Sequence, residues 1–533
     1  MTGENSWWRG GVIYQIYPRS YADANHDGVG DLKGITEKLD YVASLNVDAI
    51  WLSPFFKSPM KDFGYDVSDY RAVDPIFGDV DDFKVMLDKA HGLGIKIIID
   101  QVISHTSDQH AWFGDSRQGA GNAKSDWYIW RDAKPDGTPP NNWMSIFGGS
   151  AWEWDGQRKQ YFMHNFLRTQ PDLNLHNPEV QDAVLSDMRF WLELGVDGFR
   201  LDTANFYMHD PEFRDNPARD MTTFDAGVGG PADNPYFFQQ HVYDKDHPDN
   251  IAFLGRIRAL MDEYGVTTTV GEVGSDNPNT AVDYTQGSDR LHMTYSFDFL
   301  NDVTSAAHIR QTIERMERMI GSGWACWALS NHDFKRVVSR WAGYGGDETT
   351  RANLFNLLLM TLRGSVSLYQ GEELGLPQPA LEQHELVDPY DIMMYPNHVG
   401  RDGCRTPMVW DSGAAHGGFS TDAPWLPVKP EHAARAVDTQ AAPDSVLNKT
   451  RALIGWRKHQ PALMVGSIEL VEGPDDAVIF VRECDDQRLW VALNFGSQPI
   501  QLNPPAGARI VRESFLSADE HSLGPLQGSI WSL

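Results

Sequence analysis

Cysteine, basic residues and long apolar runs are all scarce in this chain. The three cysteines, Cys326, Cys404 and Cys484, fit neither a disulfide framework nor a zinc site, because their number is odd and their spacing is wide. No run of about 18 apolar residues occurs, so no membrane span is predicted. Residues 1–9 lack the basic start and apolar stretch of a secretion signal. We therefore predict a soluble, cytoplasmic protein.

Acidic residues outnumber basic ones. The chain has 74 Asp and Glu against 45 Lys and Arg, which gives a formal net charge of −29. Nucleic acids and anionic membranes favour basic surfaces, so neither is predicted as a partner. The acidity is open to two interpretations, a solvated surface such as salt-adapted proteins have, or an acidic binding site. A length of 533 residues predicts one large domain with at least one smaller one.

Short apolar runs alternate with amphipathic stretches along most of the chain. Helical patterns cover 35–45, 83–93, 180–194, 308–319, 354–362 and 445–459. The predicted strands are 12–18, 49–54, 95–102, 198–202, 267–273, 292–298, 326–331 and 365–370. Eight strands alternating with helices predict an α/β fold, a (β/α)₈ TIM barrel with its catalytic residues at the C-terminal strand ends.

Two insertions and a tail depart from this alternation. We assign residues 1–104 and 177–465 to the barrel and the Trp-rich stretch 105–176 to a small domain inserted after strand three. Within that domain a hairpin with a glycine turn is predicted at residues 155–157. Residues 377–427 are expected to form part of the barrel rim. The alternating strands of 466–533 predict a C-terminal antiparallel β-sandwich.

Three carboxylates, Asp202, Glu272 and Asp333, lie at or just beyond the ends of predicted strands. Arg200 shares a strand face with Asp202, so we expect it to keep that acid ionised. Glu272 lies in a more apolar stretch, which is expected to keep it protonated. Such a pair on adjacent strands, about 5 Å apart, suits retaining glycoside hydrolysis. Taken alone, any one of these acids is better explained as a helix cap or an ion-pair partner.

Several motifs then point to a known family. The segment 170–174 resembles a fifth signature in the form found in the oligo-1,6-glucosidase and α-glucosidase subgroup. Segments 14–20 and 400–408 extend the match over nearly the whole chain. The remaining motifs resemble the four signature regions of the α-amylase superfamily, glycoside hydrolase family thirteen, and they are 100–105, 198–205, Glu272 and 331–333.

This resemblance implies roles for individual residues. Asp202 would be the nucleophile, Glu272 the general acid and base, and Asp333 the acid that binds sugar hydroxyls and stabilises the transition state. The implied substrate-binding residues are Asp62, Tyr65, His105, Phe166, Arg200, Thr203, His332 and Arg401. For Arg401 a plain salt bridge is the alternative. In the subgroup, threonine after the nucleophile accompanies α-1,4 specificity and valine accompanies α-1,6, although Thr203 also simply suits a strand.

One loop resembles the start of an EF-hand, with oxygen donors at alternate positions. The resemblance implies one structural Ca²⁺ or Mg²⁺ there and no organic cofactor. The expected ligands are Asp23, Asn25, Asp27, the Val29 carbonyl and Asp31. Gly34 stands where an EF-hand has its last glutamate, so a metal-free turn is the alternative. The amylases' usual calcium-binding asparagine is replaced by Ser104, and no calcium is expected at that position.

The function implied is an exo-acting, retaining α-glucosidase that hydrolyses terminal α-1,4-linked glucose from maltose, short oligosaccharides or other α-glucosides, with transglucosylation as a side reaction. We expect a monomer or homodimer. Within the superfamily the alternatives are an oligo-1,6-glucosidase, a sucrose-acting hydrolase or isomerase, and a trehalose synthase. Outside enzymes, the heavy chains of amino-acid transporters resemble this barrel, but they carry a membrane helix and lack the full catalytic set.

Overall fold

The structure, a computed structural model, describes residues 6–221, 234–265, 267–275, 277, 279–397, 400–511 and 521–533. Residues 1–5 of the N-terminal segment discussed above lie outside this description. None of the helices in the described part of the chain is long and apolar enough to cross a membrane.

Eight parallel strands form one sheet, and each lies inside its predicted range. The strands are β1 Val12–Ile16, β2 Ala49–Leu52, β3 Lys96–Gln101, β4 Gly198–Leu201, β5 Thr268–Val273, β6 Met293–Ser296, β7 Cys326–Ala328 and β8 Ser365–Tyr369. The order around the sheet is β6-β5-β4-β3-β2-β1-β8-β7, and a parallel bridge between Thr294 and Ala325 joins the two ends. The predicted (β/α)₈ barrel is confirmed.

The strands are apolar on both faces because the sheet is buried on both sides. One apolar cluster, which includes Ile13, Trp51, Ile98 and Val270, combines side chains from strands all around the sheet, as the interior of a barrel requires. A second and larger cluster packs the other strand faces against the helices. These two layers fix the strand ends, and therefore the residues that follow each strand.

Helices follow the strands in the expected alternation. They are α1 Leu32–Ser44, α2 Val80–Gly92, α3 Pro178–Leu194, α4 Asn250–Glu263, α5 Asn279–Asp283, α6 Ala306–Met319, α7 Glu348–Thr361 and α8 Val446–Arg457. Six of them overlap the predicted helices, whereas α4 and α5 lie where we assigned none. Helix α4 contains Gly255 and has no capping side chain at its start, and α5 has only five residues.

The insertion after β3 contains a three-stranded antiparallel sheet of Trp130–Arg131, Trp152–Asp155 and Gln160–Met163. The predicted hairpin is present, but its turn differs from the expectation. Lys159, with φ of 57°, adopts the left-handed conformation, and Gly156 does not. The glycine is therefore not what shapes this turn.

The C-terminal segment forms two antiparallel sheets, as predicted. The smaller pairs Ile500–Gln501 with Ser522–Leu523. The larger contains Ser467–Leu470, Ala477–Cys484, Gln487–Asn494, Arg509–Ile510 and Gly528–Ser532. An apolar cluster with Trp490 and Leu523 joins the two sheets. The exact domain boundaries remain predictions.

A buried arginine fastens this segment to the barrel. The guanidinium of Arg482 is fully buried and donates to the carbonyls of Thr361 and Leu362, where α7 ends, at 2.6 and 2.8 Å. It also donates to the carbonyls of Leu463 and Gly466 at 3.1 Å each. One side chain thus satisfies backbone acceptors on both sides of the junction.

Candidate active site

The C-terminal ends of the barrel strands bring the three predicted acids together. Asp202 directly follows β4, Glu272 lies near the end of β5, and Asp333 follows β7; all three line one pocket. The predicted residues Asp62, Tyr65, His105, Phe166, Thr203 and Arg401 line the same pocket. Arg200 and His332 contact its lining from beneath, as described next.

Arg200 is the charged centre of the site, and it is 1% exposed. Its Nη1 donates to Asp202 Oδ1 at 2.6 Å and to Asp100 Oδ1 at 2.9 Å. Its Nη2 lies 2.6 Å from Glu272 Oε2. Because one guanidinium binds both Asp202 and Glu272, these two carboxylates are held close to each other.

Thr203 joins the same two acids from the other direction. Its backbone N–H donates to Glu272 Oε2 at 3.0 Å, and its hydroxyl donates to Asp202 Oδ2 at 3.2 Å. The residue has φ of 40°, in the left-handed region that a β-branched side chain rarely adopts. Backbone strain of this kind persists where the surrounding structure fixes it, commonly at active sites.

Burial dominates the titration of both acids. It raises the pKa of Asp202 to about 7 and that of Glu272 to about 7, while Arg200 acts in the opposite direction on each. The tyrosine hydroxyl of Tyr295 donates to Glu272 Oε1 at 3.0 Å. The sequence predicted an ionised Asp202 beside a protonated Glu272, but the expected contrast in pKa is absent because both acids are buried and share Arg200.

Asp333 lies in a different electrostatic setting. Burial acts to raise its pKa, but His332, Arg401 and Arg405 outweigh burial and hold the pKa well below the usual range. Its Oδ1 accepts from Arg401 Nη2 and from Arg405 Nη2, each at 2.8 Å. Asp333 is therefore ionised whenever the protein is folded at ordinary pH.

Polar side chains from the insertion and from the β2 loop meet on one side of the pocket. Asp62 Oδ2 accepts from Gln170 Nε2 at 2.9 Å, while the buried Asp62 Oδ1 has no partner among the described residues. The ring of Tyr65 stacks on His332, and its hydroxyl lies 2.5 Å from His332 Nε2. His105 Nε2 lies 2.9 Å from the Tyr65 carbonyl oxygen. Burial lowers the pKa of His105 to about 4, so this imidazole is neutral.

Arg401 links the rim segment to the insertion. Besides binding Asp333, its guanidinium lies 3.4 Å from Asp388 Oδ2 and 5.7 Å from the ring centre of Phe147. Phe147 also lines the pocket. Phe166 packs against His105 with ring centres 5.0 Å apart. The two insertions therefore meet across this side of the pocket.

Sequence reasoning missed several residues of the site. Arg405 lies inside the quoted motif 400–408, so its position was a usable signal. Tyr295 faces the barrel interior on β6, where its aromatic ring gave no sign of a polar role. The other missed lining residues belong mostly to the chain after β4, and they are Asn205, Phe206, Arg219, Tyr236, Phe237, His241 and Lys245. Asn205 ends the motif 198–205, which was a usable signal, whereas no pattern in the irregular stretch after it marked the others.

The predicted metal loop has its acidic oxygens turned toward its own backbone. Asp23 accepts from the N–H groups of His26 and Gly28 at 2.7 and 2.8 Å. Asp31 caps α1 by accepting from Gly34 N–H at 2.6 Å, and burial raises its pKa. Over the described residues, no group of three His, Cys, Asp or Glu side chains is arranged to hold a metal. The metal ion stays a prediction.

Comparisons with known proteins agree on the family. Residues 15–466 match the model of the alpha-amylase catalytic domain. A probable alpha-glucosidase of Rhizobium meliloti (strain 1021) is 53% identical over 93% of this chain and 90% of its own length. An oligo-1,6-glucosidase of Parageobacillus thermoglucosidasius is 36% identical over 93% of this chain and 91% of its own. The crystal structure of the alpha-glucosyl transfer enzyme XgtA is 50% identical, with a TM-score of 0.95 over 99% of each chain.

A barrel with acids at its strand ends and relatives of this kind define a glycoside hydrolase. The chain belongs to the alpha-amylase family, glycoside hydrolase family thirteen.

Proposed function

We propose that the protein is a retaining, exo-acting α-glucosidase that cleaves terminal α-1,4-linked glucose from maltose, short oligosaccharides and other α-glucosides. The observation that carries this proposal is the pair Asp202 and Glu272, held together by Arg200 at 2.6 Å each. A retaining mechanism needs two carboxyls about 5 Å apart, one as nucleophile and one as acid and then base.

In the first step Asp202 attacks the anomeric carbon of the terminal glucose while Glu272 gives its proton to the glycosidic oxygen. The aglycone leaves, and glucose is bound to Asp202 as an ester. In the second step Glu272 removes a proton from water, which attacks the same carbon and restores Asp202. An alcohol in the place of water yields a new glucoside, which is transglucosylation.

The polar side of the pocket suits the terminal glucose. Asp62 Oδ1 is buried and unpaired among the described residues, a state that costs free energy unless a ligand hydroxyl supplies the partner. Asp333 and Arg401 offer further charged groups to the sugar hydroxyls. The contact of Arg401 with Phe147 supports exo action, because both residues line the pocket on the side where a longer chain would have to continue.

Linkage preference is carried by Thr203. Its hydroxyl lies beside the nucleophile, where the leaving sugar would also lie, and supports α-1,4 specificity. Initial rates on maltose, isomaltose, sucrose, trehalose and maltotriose test this. A rate on isomaltose well above that on maltose would favour the oligo-1,6-glucosidase instead.

Asp202→Asn tests the assignment of the nucleophile. We expect kcat on maltose to fall by at least about a thousandfold, because no covalent intermediate can form. The matched control is Asp182→Asn, whose carboxylate is exposed on α3 and pairs with Arg256. NMR of the first product adds a second check: the α-anomer is expected, and the β-anomer would contradict retention.

We further propose that the 23–31 loop holds one Ca²⁺ or Mg²⁺ through Asp23, Asn25, Asp27, the Val29 carbonyl and Asp31. Its oxygen donors suit hard cations, and one divalent ion would offset two of the three negative charges of its acids. We expect EDTA to lower the melting temperature of the metal-loaded protein and Ca²⁺ or Mg²⁺ to restore it. A chain with Asp27→Ala should not respond, and an unchanged response would contradict these ligands.

A cytoplasmic location and a monomeric or homodimeric state are also proposed. Three unpaired cysteines support the first. Light scattering on a sizing column measures the second, and a larger assembly would contradict it.

A further inference from the structure

One side of the pocket contains an ammonium group that the mechanism above does not use. Lys245 lines the pocket, although it is only 6% exposed, and it is the only buried lysine of the described residues. Its Nζ donates to the Gly274 carbonyl at 3.1 Å and lies 4.9 Å from the ring centre of Phe206. Within the described chain, no carboxylate forms an ion pair with it.

The neighbouring acids have other partners. Asp244 Oδ2 lies 2.6 Å from His241 Nδ1. Asp246 accepts from Asn205 Nδ2 at 3.0 Å and from Ser275 Oγ at 2.7 Å. Lys245 acts to lower the pKa of both acids, so they balance part of its charge, but neither forms a direct ion pair with it. A ligand anion within reach of Nζ would supply that direct pair and would be stabilising.

The position of Lys245 assigns it to the aglycone. Gly274, which it binds, comes two residues after Glu272 on the same strand end. Glu272 protonates the oxygen of the leaving group, so the leaving group lies on this side, while Asp62 and Arg401 lie on the glucose side. Lys245 Nζ also lies 5.6 Å from the ring centre of Tyr236. Arg219 lines the same pocket and donates to the Gln239 carbonyl.

A hydroxyl acceptor accompanies the ammonium. Asn205 is fully buried and lines the pocket, and its Oδ1 has no hydrogen-bond partner among the described residues. Its Nδ2 donates to the same Gly274 carbonyl, at 3.1 Å. An ammonium for an anion and an amide oxygen for a hydroxyl therefore lie together.

We infer that the pocket selects α-glucosides whose aglycone carries an anionic group beside hydroxyls, such as a sugar acid, with Lys245 as the residue that binds the anion. This inference rests on the proposed α-glucosidase function. The protein as a whole is strongly acidic, so a local cation is what allows an anionic aglycone to bind here.

Maltobionate and maltitol form a matched pair of probes. In both compounds glucose is α-1,4-linked to an open-chain, polyhydroxylated aglycone. The aglycone of maltobionate ends in a carboxylate, and that of maltitol ends in a hydroxymethyl group. We expect the wild-type kcat/KM to be higher for maltobionate, and Lys245→Gln to lower the maltobionate to maltitol ratio by about tenfold, the effect of one charge-assisted hydrogen bond. Lys245→Arg should keep most of the ratio, and the exposed Lys84→Gln should keep all of it.

A wild-type ratio at or below one would overturn the inference without any variant, and so would an unchanged ratio in Lys245→Gln. Calorimetric titration of both probes into Glu272→Gln measures binding without turnover. Preferential binding of maltobionate together with no hydrolysis of maltose by the wild type would refute the proposed function and leave only the binding preference for an anionic ligand standing. Hydrolysis of maltose with equal binding of both probes would support the proposed function and refute the inference.

Discussion

At the scale of single residues, the site depends on Arg200 and Thr203, each of which contacts both reacting carboxyls. Asp202 must be ionised to attack and Glu272 must be protonated to release the aglycone. Since burial raises the pKa of each to about 7, the two groups share roughly one proton near neutral pH. The active form is the one in which that proton is on Glu272.

We therefore predict a narrow bell-shaped profile of kcat/KM with its maximum near pH 7. The rate falls at lower pH as Asp202 gains a proton and at higher pH as Glu272 loses one. With p-nitrophenyl α-glucoside, whose leaving group needs little acid assistance, Glu272→Gln should lose the high-pH limb while keeping the low-pH limb. Retention of the high-pH limb in that variant would show that another group is the acid.

At the scale of elements, helix α3 shows how local sequence signals set a boundary. Asn177 caps its start by accepting from Glu179 N–H at 2.9 Å, and Pro178 occupies its first position. Gly195 ends it with φ of 105°, a backbone conformation that is unfavourable for residues other than glycine. These signals stand in the sequence, and the helix was predicted within two residues of its ends.

We predict that Gly195→Ala lowers the free energy of unfolding by about 1–2 kcal/mol, the cost of a left-handed conformation for alanine. A Cβ at this position meets Leu87 no closer than 3.4 Å, so the cost is conformational and not steric. Urea unfolding followed by circular dichroism measures it. The control is Gly92→Ala, at a helical residue of α2 with open space, where stability should stay level or rise slightly.

Elements without such signals were not predicted. Helix α5 has five residues, too few for a periodic pattern. The hairpin of the insertion was predicted, but its left-handed residue is Lys159 and not Gly156. The barrel strands were predicted correctly because parallel strands that are buried on both faces are continuous apolar runs in the sequence. The acids at their ends were found for the same reason. Lys245 and Tyr236 were missed because an irregular stretch brings them to the pocket through tertiary contacts alone.

At the scale of the whole molecule, Arg482 joins the C-terminal sheet to the barrel. Its removal deprives the carbonyls of Thr361, Leu362 and Gly466 of this donor, whereas the Leu463 carbonyl keeps Arg457 Nη1 at 2.7 Å. We predict that Arg482→Met costs at least about 3 kcal/mol and visibly lowers the melting temperature, even though a buried charge is also removed. Arg488→Met, at an exposed ion pair with Glu483, should melt within about a degree of the wild type. Equal melting of both variants would show that Arg482 is not what holds the junction.

Few guanidinium groups are shared among many acids, and this makes the distribution of charge in the pocket uneven. Near the glucose, six carboxyl groups face three guanidinium groups, and five of the six pair directly with one of them. The carboxyls are Asp62, Asp100, Asp202, Glu272, Asp333 and Asp388, and the guanidinium groups are those of Arg200, Arg401 and Arg405; Asp62 makes no direct pair among the described residues. The opposite wall carries Lys245 and Arg219. The pocket is thus negative around the glucose, where it stabilises the positive charge that develops on the sugar ring, and it carries the ammonium of Lys245 on the side from which the leaving group departs.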